Sequence, residues 1–326
     1  MAKLPTIAVC YLAAVDPSGI EHRRGPDPIS KPLADHPILD MRDRTPADLS
    51  SEEHARLDDV EIAFILNMPD YLFEAFPNLR WIHSLMTGHD HIPLDELRKR
   101  GIRLTNGAGT AATEIAEFVI ARILEHWKKL PQIAAQQTEH RWHPAFGRAL
   151  SDSNIVLVGY GPINSEVARL LAPFAVNMTA VRRSAATPSV GVSRTVSFAD
   201  LDSVLGDADV VVAAVPSNAD TTGMFDAGRF AAMKQDCFFI NVGRGTAVVE
   251  ADLMAALASG HLGGAALDVA SEEPLPADNP LWDSTARISP HSSATLTNTM
   301  RRVHELFVRN VRTYPSGARL ENEVDL

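Results

Sequence analysis

In Asn154-Ile-Val-Leu-Val-Gly-Tyr-Gly-Pro-Ile-Asn164 a run of four apolar residues passes through two glycines into Ser165 to Leu171, a segment with helical spacing. A short apolar run of this kind reads as a buried parallel strand. A strand that turns through glycines straight into a helix makes an anion site. Gly159 permits the tight turn, and Gly161 lets backbone amides approach a pyrophosphate at the helix N-terminus. The third fingerprint position holds Asn164, which puts the closeness of helix-to-strand packing in question but not the pyrophosphate contact.

The same rhythm continues downstream. Apolar runs at Met178 to Val181, Val210 to Val215, Phe238 to Val242, Gly264 to Val269 and Ala286 to Ser289 are each followed by a helix-compatible segment, which predicts a parallel sheet covered on both faces. Upstream, runs at Ile7 to Val15, Ile38 to Met41, Glu61 to Leu66, Leu79 to Leu85 and Ile102 to Thr105 alternate with helical stretches Ser50 to Leu57, Pro69 to Phe76 and Pro93 to Arg100. A long helix is expected over Thr113 to Lys129 and a last one over about Ala294 to Tyr314. The expectation is an α/β chain of two Rossmann-like or flavodoxin-like parallel-sheet domains in a nested layout. A dinucleotide-binding domain, 106–293, is inserted into a substrate-binding domain made of 1–105 plus 294–326.

Three groups sit just after expected strands: Arg244, Glu273 and His291. A fixed cation can hold a carboxylate and polarise a carbonyl, a histidine can donate a proton, and a carboxylate behind it can orient it and favour its charged form. That equipment suits reduction of a 2-oxo acid. Each residue alone could be an ordinary loop group, but three of them at the strand ends where such sheets bind ligands form a coherent site. Glu272 competes for the carboxylate role, and the register to Pro274 favours Glu273. The strand after the glycine turn ends in Arg182-Arg183-Ser184, where NAD-binding chains of this fold usually carry an acid for the ribose hydroxyls. Two guanidinium groups and a hydroxyl suit a ribose phosphate, so NADP(H) is expected over NAD(H), with a solvated strand end as the plain alternative. His83, His89, Asp90 and His91 could suggest a metal, but His89 and His91 would point apart on an extended backbone and no Cys or Glu joins them, so no metal is expected.

The chain has 326 residues, 30 basic and 41 acidic, for a net charge of −11, with 45% hydrophobic and 22% charged residues. That is enough chain for two domains, and the acidity argues against nucleic-acid or anionic-membrane partners. Cys10 and Cys237 lie in apolar runs and read as buried thiols. The N-terminal stretch reads as a first strand rather than a signal peptide, and no run approaches the roughly 20 apolar residues of a membrane helix. The expected location is the cytoplasm.

Across most of the chain these motifs resemble the D-isomer-specific 2-hydroxyacid dehydrogenases, the family of glycerate dehydrogenase, glyoxylate/hydroxypyruvate reductase and phosphoglycerate dehydrogenase. The segments are Ile82-His-Ser-Leu-Met-Thr-Gly-His-Asp-His91, Asn106-Gly-Ala-Gly-Thr-Ala-Ala-Thr-Glu-Ile-Ala-Glu117, Val158-Gly-Tyr-Gly-Pro-Ile163, Arg244-Gly-Thr-Ala-Val-Val-Glu250, Ala266-Leu-Asp-Val269, Glu273-Pro-Leu275 and Ser289-Pro-His291. The resemblance implies reduction of a small 2-oxo acid, glyoxylate- or hydroxypyruvate-like, to the D-2-hydroxy acid. It assigns the substrate carboxylate to backbone amides around Thr87, Gly88 and His89, with Arg244. It also implies cofactor contacts from Pro162, Ile163, Val242, Gly243, His291 and Ser293. Val215-Pro216 and Thr221 would line the adenosine side, Asp268 would bond the nicotinamide carboxamide, and Ile115 would pack on the nicotinamide ring. A homodimer through the cofactor domains is expected, using the apolar face Ile115, Phe118, Val119, Ile123 and Trp127 of the long helix. Formate dehydrogenase, a relative, departs from the Glu-His pattern. The alternatives are an NAD-dependent phosphoglycerate-type or other D-2-hydroxyacid dehydrogenase and, in another class, a dinucleotide-sensing corepressor-like protein.

Overall fold

The computed structural model describes residues 4–10, 31–186, 189–294 and 296–326. Its contacts divide the chain into two units, Met1–Thr110 with Leu296–Leu326, and Ala111–Thr295.

The first unit is built on a parallel sheet of β1 (Thr6–Cys10), β2 (Ile38–Asp40), β3 (Val60–Ile65), β4 (Trp81–Ser84) and β5 (Arg103–Thr105). Their order is β2-β1-β3-β4-β5, the flavodoxin-like arrangement. The expected first strand ends at Cys10, and its remainder lies outside the described residues. Each strand reads as a continuous apolar run because both faces are covered. Along β3, Ala63 and Ile65 join one cluster with Leu72, Leu97 and Leu104, while Ile62 and Phe64 join another with Trp81, Val303 and Phe307. The second face is the reason for the final helix, Leu296–Thr313. Val303, Phe307 and Val311 recur every fourth residue and are fully buried, and the Phe307 ring stacks on Phe64 at 4.4 Å. The end of the chain then borders β5, where Arg103 makes a two-pronged bond to Glu323 at 2.8 and 2.7 Å.

The second unit carries β6 (Asn154–Val158), β7 (Asn177–Arg182), β8 (Arg194–Ser197), β9 (Val210–Ala213), β10 (Phe238–Asn241), β11 (Gly264–Leu267) and β12 (Arg287–Ile288). Their order is β12-β11-β10-β9-β6-β7-β8, all parallel. Chain order reverses between β6 and β9, and that switch point is where open α/β sheets bind ligands. Strand β8 is not among the expected strands, because its Arg194-Thr-Val-Ser run is short and only Val196 in it is apolar.

The long helix spans Ala112–Trp127 and buries Ala116, Val119, Ile123 and Trp127 against Ile155, Leu157 and Val210 of its own sheet. This corrects the expected dimer face. Val119, Ile123 and Trp127 are spent on the core, leaving only Ile115 and Phe118 partly exposed. A second helix, Leu130–Thr138, lies outside the expected elements. Pro131 sits where the first turn has no need of its amide. Residues 139–149 form no regular element, and they present Trp142 and Phe146 to solvent at 102% and 89% exposure. Both cysteines are buried with raised thiol pKa values, that of Cys237 pushed up to about 12, chiefly by burial. Among the described residues no helix is long and apolar enough to cross a membrane.

Candidate active site

Three neighbouring strands of the second sheet, β10, β11 and β12, end in the loops that carry Arg244, Glu273 and His291. The arrangement is organised from beneath by Asp268, the residue after β11, which is 1% exposed. Its Oδ1 accepts the Ser289 hydroxyl at 2.7 Å and the Ser292 amide at 3.0 Å, and its Oδ2 accepts the Ser293 amide at 3.1 Å. Its backbone carbonyl accepts the amide of His291 at 2.8 Å. These bonds hold His291 at φ +50°, a left-handed conformation that non-glycine residues adopt at a cost. Such an outlier, pinned by its surroundings, points to function. Both carboxylate oxygens of Asp268, the residue expected at the nicotinamide carboxamide, thus accept bonds from the His291 turn.

The His291 side chain meets Glu273, with Nδ1 2.8 Å from Oε2, while the other Glu273 oxygen accepts the Ala270 amide at 3.0 Å. Nδ1 facing a carboxylate fixes the tautomer and leaves Nε2 as the reactive edge. Between the two candidate acids, the contact selects Glu273 over Glu272. Arg244 stands just before the turn Gly245–Ala247, and its Nη1 donates to the Gly243 carbonyl at 2.9 Å. Beneath it lies Asn241, fully buried, donating to the Arg244 carbonyl at 2.9 Å and accepting the Gly243 amide at 3.0 Å. A side chain on Gly245 would sit 1.8 Å from the Ala270 carbonyl, so glycine is what lets the Arg244 loop abut the segment carrying Glu273. Val242 is buried beside Gly243.

The dinucleotide turn follows β6. Gly159 has φ +84° and its missing Cβ would lie 2.6 Å from the Ala214 carbonyl, whereas a Cβ on Gly161 would meet no atom of the described residues within 4 Å. The helix Pro162–Leu171 begins here. The amides of Ile163 and Asn164, orphans of the first helical turn, have no acceptor among the described residues. Asn164 itself is fully buried. Its Nδ2 donates to the carbonyls of Val158 and Gly159 at 3.1 Å each and of Val212 at 3.3 Å. The departure from glycine therefore tightens helix-to-strand packing by hydrogen bonding. Arg182 ends β7 half-buried, with Arg183 and Ser184 exposed beyond it, and neither guanidinium has an anionic partner among the described residues. Unpaired cations here and free amides at the turn fit a dinucleotide with a ribose phosphate. Val215 is buried and Pro216 exposed, and Thr221, expected as a contact, is buried with its hydroxyl given to the Pro216 carbonyl at 2.6 Å. Ile115 is half-buried against the core.

In the first unit, Thr87, Gly88 and His89 follow β4, and their three successive amides have no acceptor among the described residues. Asn106, nearly buried, donates to the Thr87 carbonyl at 2.8 Å and accepts the Ala108 amide at 3.1 Å. His83 turns into the core, its Nδ1 2.6 Å from Thr105 Oγ1, away from the partly exposed His89 and exposed His91. Among the described residues no group of three His, Cys, Asp or Glu could hold a metal.

Residues 120–293 match the family described as "D-isomer specific 2-hydroxyacid dehydrogenase, NAD binding domain". A glyoxylate reductase/hydroxypyruvate reductase of Mus musculus is 32% identical over 259 residues, covering 77% of this chain and 79% of the relative. A glyoxylate reductase of Thermofilum pendens is 33% identical over 74% of this chain and 73% of its own. The structure of an NADPH-dependent glyoxylate/hydroxypyruvate reductase from Sinorhizobium meliloti, in complex with NADP and sulfate, superposes with a TM-score of 0.79 at 26% identity over 98% of both chains. The chain belongs to the D-isomer specific 2-hydroxyacid dehydrogenase family.

Proposed function

We propose that this chain reduces a small 2-oxo acid, of the size of glyoxylate or hydroxypyruvate, to the D-2-hydroxy acid with NADPH, accepting NADH less well. The observation that carries the reading is the 2.8 Å contact between His291 and Glu273 in a turn pinned by Asp268. NADPH, when bound, supplies the hydride that reaches the carbonyl carbon. His291 gives the proton from Nε2 to the carbonyl oxygen, so that the product is the neutral alcohol. Glu273 holds the ring from behind and balances the charge of its protonated form. Arg244 holds the substrate carboxylate and polarises the carbonyl. The three unbonded amides of Thr87, Gly88 and His89 suit a carboxylate in the same way that helix N-termini suit phosphate. For the cofactor, Ile163 and Asn164 offer amides to the pyrophosphate, and Arg182, Arg183 and Ser184 take the ribose phosphate. Relatives named for glyoxylate and hydroxypyruvate, and a neighbour holding NADP, support this substrate and cofactor class.

The same reading has the enzyme act in the cytoplasm as a homodimer joined through the cofactor domains, without nucleic-acid or membrane partners. The exposed Trp142 and Phe146 support a partner surface, and the net charge of −11 disfavours polyanions. The test is loss of reduced-cofactor absorbance when the purified protein is mixed with NADPH and glyoxylate or hydroxypyruvate. No turnover with any small 2-oxo acid would overturn the enzymatic reading and leave a dinucleotide-binding protein.

A further inference from the structure

The dinucleotide turn has few donors to offer. Pro162 has no amide, the Gly159 and Tyr160 amides both go to the Val181 carbonyl at 2.9 and 3.2 Å, and the Gly161 amide goes to the Gly159 carbonyl at 2.9 Å. Ile163 and Asn164 remain. With only two amides at the helix start, the angle at which the first helical turn is seated on β6 decides whether both reach one pyrophosphate. Where the fingerprint has glycine, that seat is made by backbone contact alone. Here it is made by the Asn164 carboxamide, whose Nδ2 reaches Val158 at the end of β6, Gly159 in the turn and Val212 in β9, across the switch point. The side chain is fully buried and its Oδ1 has no hydrogen-bond partner among the described residues. A glycine would remove that unsatisfied acceptor and lose the three-carbonyl anchor with it.

We propose that Asn164 is the positioning residue of the dinucleotide turn, so that restoring the fingerprint glycine weakens NADPH binding instead of improving it. The proposal rests on the reading that this turn holds the cofactor pyrophosphate.

The test compares wild type with N164G by equilibrium titration with NADPH and, separately, with adenosine 2′-monophosphate. The fragment has the ribose phosphate that Arg182 and Arg183 would hold but no pyrophosphate, so it reports the remainder of the site. The NADPH dissociation constant is expected to rise about tenfold, the scale of one net hydrogen bond, while the fragment's changes less than about twofold. Unchanged NADPH affinity in N164G would overturn the proposal, and so would equal losses for both ligands, which would mean a general loosening of the domain. Wild type that binds neither ligand would overturn the dinucleotide reading itself, a separate outcome. Should N164G not fold, N164A, which keeps a Cβ and loses the carboxamide, carries the same comparison with the same expected result.

Discussion

Asp268→Asn is the sharpest probe of how the site is built, because it changes one oxygen to nitrogen in a side chain that is 1% exposed. The carboxylate takes two donors on Oδ1, from Ser289 and Ser292, and one on Oδ2, from Ser293 at 3.1 Å. If the amide keeps its oxygen toward the first two, its nitrogen faces the Ser293 amide, donor against donor. One charge-assisted bond is then lost, about 1.5–3 kcal/mol, and the other two weaken to neutral strength. The left-handed His291, itself costing about 1 kcal/mol or more, loses part of what holds it. A displacement worth about 2–3 kcal/mol in the transition state lowers turnover roughly thirty- to a hundred-and-sixtyfold. The assay is steady-state reduction of glyoxylate at saturating NADPH, with thermal melting alongside to verify that the domain is folded. Because the effect is argued to pass through His291, the same substitution made in a His291→Ala background should add little further loss, the signature of coupled sites. A folded Asp268→Asn variant within about threefold of wild type, or losses that simply multiply in the double variant, would refute the reasoning.

His291→Ala should cut turnover by roughly two to four powers of ten without abolishing NADPH binding, and near-normal turnover would remove His291 as the proton donor. Arg182→Asp should weaken NADPH about thirtyfold, the scale of a lost charge-assisted phosphate contact of about 2 kcal/mol, and leave NADH little changed; equal losses for the two cofactors would count against the phosphate role. Burial, reinforced by His304, holds the His83 pKa down at about 3, below its ordinary 6.5. The unfolded chain therefore takes up a proton that the folded one refuses, and stability falls as pH drops below about 6.5, by up to about 1.4 kcal/mol per pH unit, until the folded value is reached. Urea midpoints between pH 7 and pH 5 should fall less steeply in His83→Asn, and identical slopes would refute the assignment.

Short apolar runs announced nearly every strand, since parallel strands covered on both faces have no polar face to confuse the reading. The candidate residues Arg244, Glu273 and His291 were legible for the same reason, because each follows such a run, and the structure carries them in the loops after the neighbouring strands β10, β11 and β12. What the sequence could not show was which apolar residues were already in use. Ile115, Phe118, Val119, Ile123 and Trp127 read as one face, but spacing cannot distinguish a helix face turned to its own sheet from one turned to a partner. Val119, Ile123 and Trp127 proved to be core. The exposed Trp142 and Phe146, on a stretch with no periodicity, gave no signal at all.

The residues that anchor the loops of the candidate site share a job. Asn106 follows β5 and holds the Thr87 loop, Asn241 ends β10 and holds the Arg244 loop, Asp268 follows β11 and holds the His291 turn, and Asn164 holds the dinucleotide turn. All four are buried, and all spend their side chains on neighbouring backbone or hydroxyl groups. A short side chain with both donor and acceptor capacity, or a carboxylate that accepts several amides, can satisfy a loop that leaves a sheet without returning to it. Such loops otherwise carry unpaired amides and carbonyls at the mouth of a site, where rigidity is most needed. A polar residue at the end of an otherwise apolar run is then a signal in its own right. It marks a loop whose geometry is fixed from below, and the residue that does chemistry stands within a few positions of the group it anchors.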